Sequence, residues 1–100
     1  MDPERISDFM ISDVVISTAG RDKDGIFYVI GEDRDILLLV NGKDRTLDRP
    51  KRKKRKHVQK VLRSETRVAQ KLRSGDKVLN GELRRDLAFL ARDASENLGG

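Results

Sequence analysis

One hundred residues, 36% apolar and 39% charged, describe one small domain plus tails with a limited core, which excludes a large multi-domain enzyme. The absence of cysteine excludes disulfides, thiolate metal sites and cysteine nucleophiles, and fits a reducing compartment. The formal net charge of +5 sits in one place: Arg49 to Arg63 holds nine Lys or Arg and no acid, the residues before it sum to −5 (six bases, eleven acids) and those after it to +1 (seven bases, six acids).

Met1 to Ser12 has no clear period and reads as a loose arm, with Ile6, Phe9, Met10 and Ile11 available to pack. Its first residues, Met1-Asp2-Pro3-Glu4-Arg5, lack the basic and apolar regions of a signal peptide, and no apolar run approaches the roughly 18 residues of a membrane span, so a cytoplasmic protein is expected. Asp13-Val14-Val15-Ile16-Ser17-Thr18 is β-branched and predicts a strand. Its apolar groups fall on both faces, so the period does not say which face is inside. Ala19 to Gly25 then forms an exposed charged turn bracketed by Gly20 and Gly25, which permit positive φ.

Ile26-Phe27-Tyr28-Val29-Ile30 predicts a second strand, Gly31 to Asp35 a turn, and Ile36-Leu37-Leu38-Leu39-Val40 a third strand. Asn41-Gly42 after that run predicts a type I′ hairpin returning through Lys43-Asp44-Arg45-Thr46-Leu47, a weak edge strand that Pro50 ends. His57 to Leu62 offers a last strand. The fold class is mainly β: a small antiparallel barrel over residues 13–62 in which the start of the basic run lies against the first strand. Residues 63–100 read as a helical extension, with a short helix over Glu65 to Arg73 stopped by Ser74-Gly75. Asn80 caps a second helix carrying the stripe Leu83, Leu87, Leu90 and Ala94, and Asn97 to Gly100 is a frayed tail. The stripe is expected to pack intramolecularly, with a protein partner as its rival use.

A block of like charge repels itself, and its use is phosphate binding with counterion release; the plainer readings are a solvated linker or a nuclear import address. The only aromatics are Phe9, Phe27, Tyr28 and Phe89, too few for a platform of stacked bases. His57 is the single histidine, without a nucleophile motif or metal partners, and the acids Asp22, Asp24, Glu32, Asp33 and Asp35 fall in turns where carboxylates are solvated. No cofactor or metal is implied. The loop Gly20 to Gly25 lacks the Gly-Lys-Ser/Thr ending of a P-loop.

Val14-Val15-Ile16-Ser17-Thr18-Ala19-Gly20-Arg21-Asp22-Lys23 resembles the opening of a KOW motif, and more narrowly the start of archaeal and eukaryotic large-subunit ribosomal proteins of the L-fourteen-e type. Leu39-Val40-Asn41-Gly42-Lys43, followed by Lys51 to Lys56 and His57-Val58, is similar to that family's second signature. The length suits small stand-alone bacterial relatives. The match covers about Asp13 to Leu62 and departs at Asp24, where the family has glycine and Gly25 follows one place later. The resemblance implies a five-stranded SH3-like barrel, RNA as ligand (ribosomal RNA first) and no catalysis. The candidate RNA contacts are Arg21 and Lys23 in the loop, Lys43 and Arg45 after the turn, and Lys51, Arg52, Lys53, Lys54, Arg55, Lys56, His57 and Lys60 in the basic run. Gly20, Gly25, Asn41 and Gly42 are turn positions. The alternative is a protein-interaction adaptor that uses the barrel or the C-terminal helix.

Overall fold

The computed structural model describes residues 9–99, and their side chains through residue 93. Five strands form one antiparallel sheet: β1 (Asp13–Ser17), β2 (Ile26–Asp33), β3 (Ile36–Val40), β4 (Lys51–Lys54) and β5 (Val58–Arg63). Their order across the sheet is β4-β3-β2-β1-β5, so β4 and β5 are its two edges and do not pair. Only a single 3₁₀ turn, Arg55–His57, joins those edges. In a flat sheet they would stand about 19 Å apart, four strand spacings. The four residue steps from Lys54 to Val58 reach about 14 Å at most. The sheet is therefore strongly curled, and its hydrogen-bond ladder stays open. Two bonds anchor the turn, from Thr18 N to His57 O at 2.9 Å and from Arg55 N to Asp35 O at 2.7 Å.

The first three strands and the last are where the apolar pattern predicts them, except that β2 runs on through Gly31, Glu32 and Asp33, so the expected turn shrinks to Arg34 and Asp35. The fourth strand is not where the pattern predicts it. Lys43 to Leu47 forms no strand, and Asn41-Gly42 is not a two-residue hairpin: the Asn41 side chain accepts from Lys43 N (2.9 Å) and Arg45 N (3.0 Å), folding the segment into a compact loop. Only Gly42 of the pair has positive φ, +76°. The edge strand is the basic run itself, which pairs with β3 (Leu37 opposite Lys53, Leu39 opposite Lys51). Pro50 precedes this strand instead of ending one. The start of the run thus lies against β3, and it is β5 that pairs with β1.

Burial on both faces explains the absent alternation. Val15, Phe27, Val29, Leu37, Leu39 and Val58 form a cluster inside the curl, with Phe9 packed against it. Val14, Tyr28 and Val40 point the other way, under two helices, α1 (Arg67–Ser74) and α2 (Asn80–Gly99). Val68, Ala69, Val78, Leu83, Leu87 and Leu90 complete that second cluster. The C-terminal part thus supplies six of the nine buried residues of this cluster, and Leu83, Leu87 and Leu90 of the stripe pack intramolecularly as expected. Ile6 and the Ala94 side chain lie outside the described residues, Met10 and Ile11 are exposed, and α2 stays helical through Gly99 where fraying is expected.

Thr66 caps α1, its hydroxyl accepting from Ala69 N, and Gly75 ends it in the left-handed conformation. Asn80 is instead the first residue of α2, and its side chain accepts from Leu47 N at 3.0 Å, tying the loop to the helix. The Tyr28 hydroxyl crosses from sheet to helices: it donates to Asp86 and lies 2.8 Å from Ser64 Oγ, while Thr66 donates to the same carboxylate oxygen at 2.9 Å. Burial, then the bond to Asp86, pushes the phenol up to about 12. Arg73 joins α1 to the first strand, donating to Ser12 Oγ (2.6 Å) and Ser64 O (2.9 Å).

Tyr28→Phe removes the donor to a partly buried carboxylate and should cost about 1–2 kcal/mol in chemical denaturation. Folding holds the Tyr28 proton more tightly than the free phenol does, so its contribution is complete below pH 10.0 and is lost as pH rises through about 12. The wild type should lose that increment of stability over this range, and the Phe variant should not. Gly42→Ala should be worse than Gly75→Ala although their φ values are alike, +76° and +75°. A methyl group on Gly42 would overlap the Asn80 carbonyl and stand 2.9 Å from Arg84 N, whereas Gly75 faces open space. Gly75→Ala should cost about 1 kcal/mol and Gly42→Ala several, read from denaturation midpoints.

Candidate nucleic-acid interface

The loop between β1 and β2 and the basic strand are far apart in sequence and meet in space. Ser17 N donates to Gly25 O (3.0 Å), Asp24 N to Ser17 O (2.8 Å) and Gly25 N to Asp22 O (2.8 Å), closing a tight loop. Gly20 has φ +86°, as its type predicts, but the second left-handed position is Asp24 at +72°, not Gly25. Aspartate tolerates that region better than most residues, so the loop closes without a glycine at this position. Gly25 instead has no room for a side chain, since a methyl there would stand 2.9 Å from the Asp22 carbonyl.

Asp22 is the hub. Its Oδ1 accepts from Ser17 Oγ (2.9 Å) and from Lys53 Nζ (2.5 Å), and its Oδ2 faces Lys51 Nζ at 3.7 Å. Lys53 is 8% exposed, lies on the inner face of β4, and also donates to the Ala19 carbonyl. Burial raises the Asp22 pKa, but the bonds from Lys53 and Ser17 and the charges of Lys53 and Lys51 outweigh it and hold the carboxyl below its usual 3.8. Asp22 therefore neutralises bases about thirty residues ahead of it, not its neighbours Arg21 and Lys23.

Of the other acids expected to be solvated in turns, Asp24 and Asp35 are exposed, but Glu32 and Asp33 lie in β2 and are paired. Arg52 pairs with Asp33 (3.1 Å), Arg55 with Glu32, Lys60 with the buried Asp13 (3.3 Å) and Arg63 with Glu65 (3.5 Å). Lys60 also lies 5.5 Å from the centre of the Phe9 ring. The candidates thus divide. Lys51, Arg52, Lys53, Arg55 and Lys60 are engaged with carboxylates of this chain, and Lys53 is no surface contact at all. Arg21, Lys23, Lys54 and Lys56 are exposed with no ion pair among the described residues, as is Arg49, which the candidate set omits. Lys43 is exposed and Arg45 half-buried on the loop beside α2; His57 is half-buried in the 3₁₀ turn.

Strand alternation separates these sets. Lys51 and Lys53 point into the curl, Arg52 and Lys54 out of it, and Lys56 follows on the turn. Counting charges finds the acidic turns and the basic run, but pairing across the sheet decides which cations remain available. Among the described residues no group of three His, Cys, Asp or Glu could hold a metal ion, and no helix is long and apolar enough to cross a membrane. No protein-family model matches the chain, and no curated protein matches it in sequence.

Lys53→Met leaves Asp22 with a buried oxygen short of its strongest donor and should destabilise the fold by about 2 kcal/mol. Because Asp22 titrates below its free value, its contribution is present above pH 3.8 and is lost as pH falls through the lower folded value. Asp22→Asn should flatten the stability curve in that acid range, measured by urea denaturation at successive pH values.

Proposed function

We propose that this chain is a non-catalytic RNA-binding module of the KOW type, with its curled sheet acting as an SH3-like barrel and structured RNA, ribosomal RNA first, as its ligand. The observation that carries the reading is the Asp22 bridge. It places the glycine loop beside the basic strand, the two segments that resemble the family signatures, and the same loop, strand and turn carry Arg21, Lys23, Lys54 and Lys56, exposed and without an ion pair among the described residues. The strand order and the single 3₁₀ turn between the edge strands support the barrel reading. Recognition here is by charge and shape: Phe27 and Tyr28 are buried and offer no stacking face at this site. Arg52 and Arg55, held by exposed carboxylates, form a second rank that phosphates can compete for.

If Arg21, Lys23, Arg49, Lys54 and Lys56 each meet a phosphate, log affinity should fall against log salt with a slope of roughly −3.5 to −4.5. Lys54→Ala with Lys56→Ala should weaken binding to every sequence alike and reduce the slope by about 1.4 to 1.8. A slope near zero in filter-binding titrations would reject the mechanism. The adaptor reading has one observation in its favour, the exposure of Leu79 (55%) and Phe89 (62%) beside α2's buried stripe. Sedimentation of lysate with and without ribonuclease separates the two, since an adaptor's complex survives the nuclease.

A further inference from the structure

Two cations of the candidate set, Lys43 and Arg45, take no part in the junction that Asp22 builds. Their loop is held against α2 instead. A side chain on Gly42 would overlap the Asn80 carbonyl and stand 2.9 Å from Arg84 N, so the backbone there lies directly on the first turn of the helix. The Asn80 side chain accepts from Leu47 N at 3.0 Å and fastens the far end of the same loop. Lys43, next in the chain after Gly42, is thereby brought beside Arg84.

Lys43 and Arg84 line one cleft of about 220 Å³ together with Ile26, Asn41, Leu87 and Ala88. Both cations are exposed, and neither has an ion pair among the described residues. The Asn41 side chain is used within its own loop, accepting from Lys43 N and Arg45 N and donating to Asp44. The cleft therefore offers a ligand two positive charges and an apolar lining.

The acids nearby do not cancel this charge. Asp44 accepts from Asn41 at 2.7 Å and faces the charges of Arg45 and Lys43, so it offsets one cation of the three, Lys43, Arg45 and Arg84. On α2 the residues three and four places from Arg84 are Asn80, Gly81, Leu87 and Ala88, none of them acidic. Glu82 and Asp86 line a different cleft, with Val68, Arg85 and Phe89.

The cleft also continues the glycine loop. Ile26, the first residue of β2, follows Gly25 directly and packs toward the helices, while Asp22 meets Lys53 on the inner face. Arg21, Lys23, Lys43, Arg45 and Arg84 thus gather around the start of β2 against only Asp24 and Asp44, because Asp22 is taken by Lys51 and Lys53. Cations flanking a carbon-lined cleft match a ribose–phosphate chain, with phosphates on the charges and sugar carbons on the lining.

We propose that the RNA track runs from the glycine loop across this cleft, where Lys43 and Arg84 hold backbone phosphates. It rests on the RNA-binding reading and extends it: α2 is a contact element as well as a cover for the sheet.

The test is filter binding of the full chain to a bulged RNA hairpin over a salt series. Lys43→Gln with Arg84→Gln should reduce the slope of log affinity against log salt by about 1.4 to 1.8. Between roughly 50 and 200 mM salt, the wild type should therefore lose about 7- to 12-fold more affinity than the double variant. Arg84→Lys should keep the slope. Arg85→Gln removes the same charge one position away, outside the cleft, and should leave the slope unchanged. Ala88→Glu gives Arg84 an acid one turn on and should weaken binding as Arg84→Gln does. Circular dichroism melts of all these variants should match the wild type, since every altered side chain is exposed.

If Lys43→Gln with Arg84→Gln leaves the slope unchanged while Lys54→Ala with Lys56→Ala still lowers it, the cleft is overturned and the junction stands. If Arg85→Gln acts as strongly as Arg84→Gln, the effect is one of net charge and the cleft is again rejected. If the double variant keeps its RNA affinity but loses binding to polyglutamate, the cleft takes an acidic protein and the proposal fails. If wild type does not bind the hairpin even in dilute buffer, the cleft and the RNA-binding reading fall together.

Discussion

One carboxylate, that of Asp22, sets the terms for the rest of the molecule. A strand of Lys-Arg-Lys-Lys repels itself and has no reason to lie along a sheet edge. Pairing with β3 puts two of those lysines on the inner face, where an ammonium without a partner would be costly. Asp22 meets both, from a loop that two left-handed residues, Gly20 and Asp24, bend toward them. The same contact ties the loop to the basic strand. Which cations remain for a ligand follows from this, because the strand's alternation sends the others outward.

The second constraint is that the sheet has no solvent face in its centre. Helices cover the side opposite the curl, and the cover is joined by polar contacts as well as by leucines. Tyr28 reaches from β2 to Asp86 on α2, Arg73 from α1 to Ser12 and Ser64, and Asn80 from α2 to Leu47. These contacts fix the helices' register on the sheet, where leucines alone would permit sliding. The two helices are thereby part of the domain and not an appendage to it.

Much of this was legible in the chain. Runs of β-branched and aromatic residues located β1 and β2, the apolar run Ile36 to Val40 located β3, His57 to Leu62 offered β5, and the leucine spacing located α2's buried face. The fourth strand was hidden because its residues look like a solvated charge run, and only cross-strand partners make Lys51 to Lys54 a strand. Asn41-Gly42 misled for a physical reason. The pair carries a strong local hairpin signal, but the Asn41 side chain captures the loop's own amides, and Gly42 is needed where α2 passes too close for a side chain. Lack of alternation in β1 was correctly ambiguous, since both faces are buried. At the candidate site, composition identified the cations but not their allotment. The ion pairs of Lys51, Arg52, Lys53, Arg55 and Lys60 join residues from nineteen to forty-seven apart, and no local pattern encodes them.

The basic edge strand has a further consequence. An outermost strand exposes a row of unpaired amides and carbonyls, an invitation to edge-to-edge aggregation. Here that row belongs to four consecutive cations. A second copy approaching along it would bring lysine against lysine at the spacing of neighbouring strands. The segment that attracts anions thus also opposes pairing of a second copy along this edge.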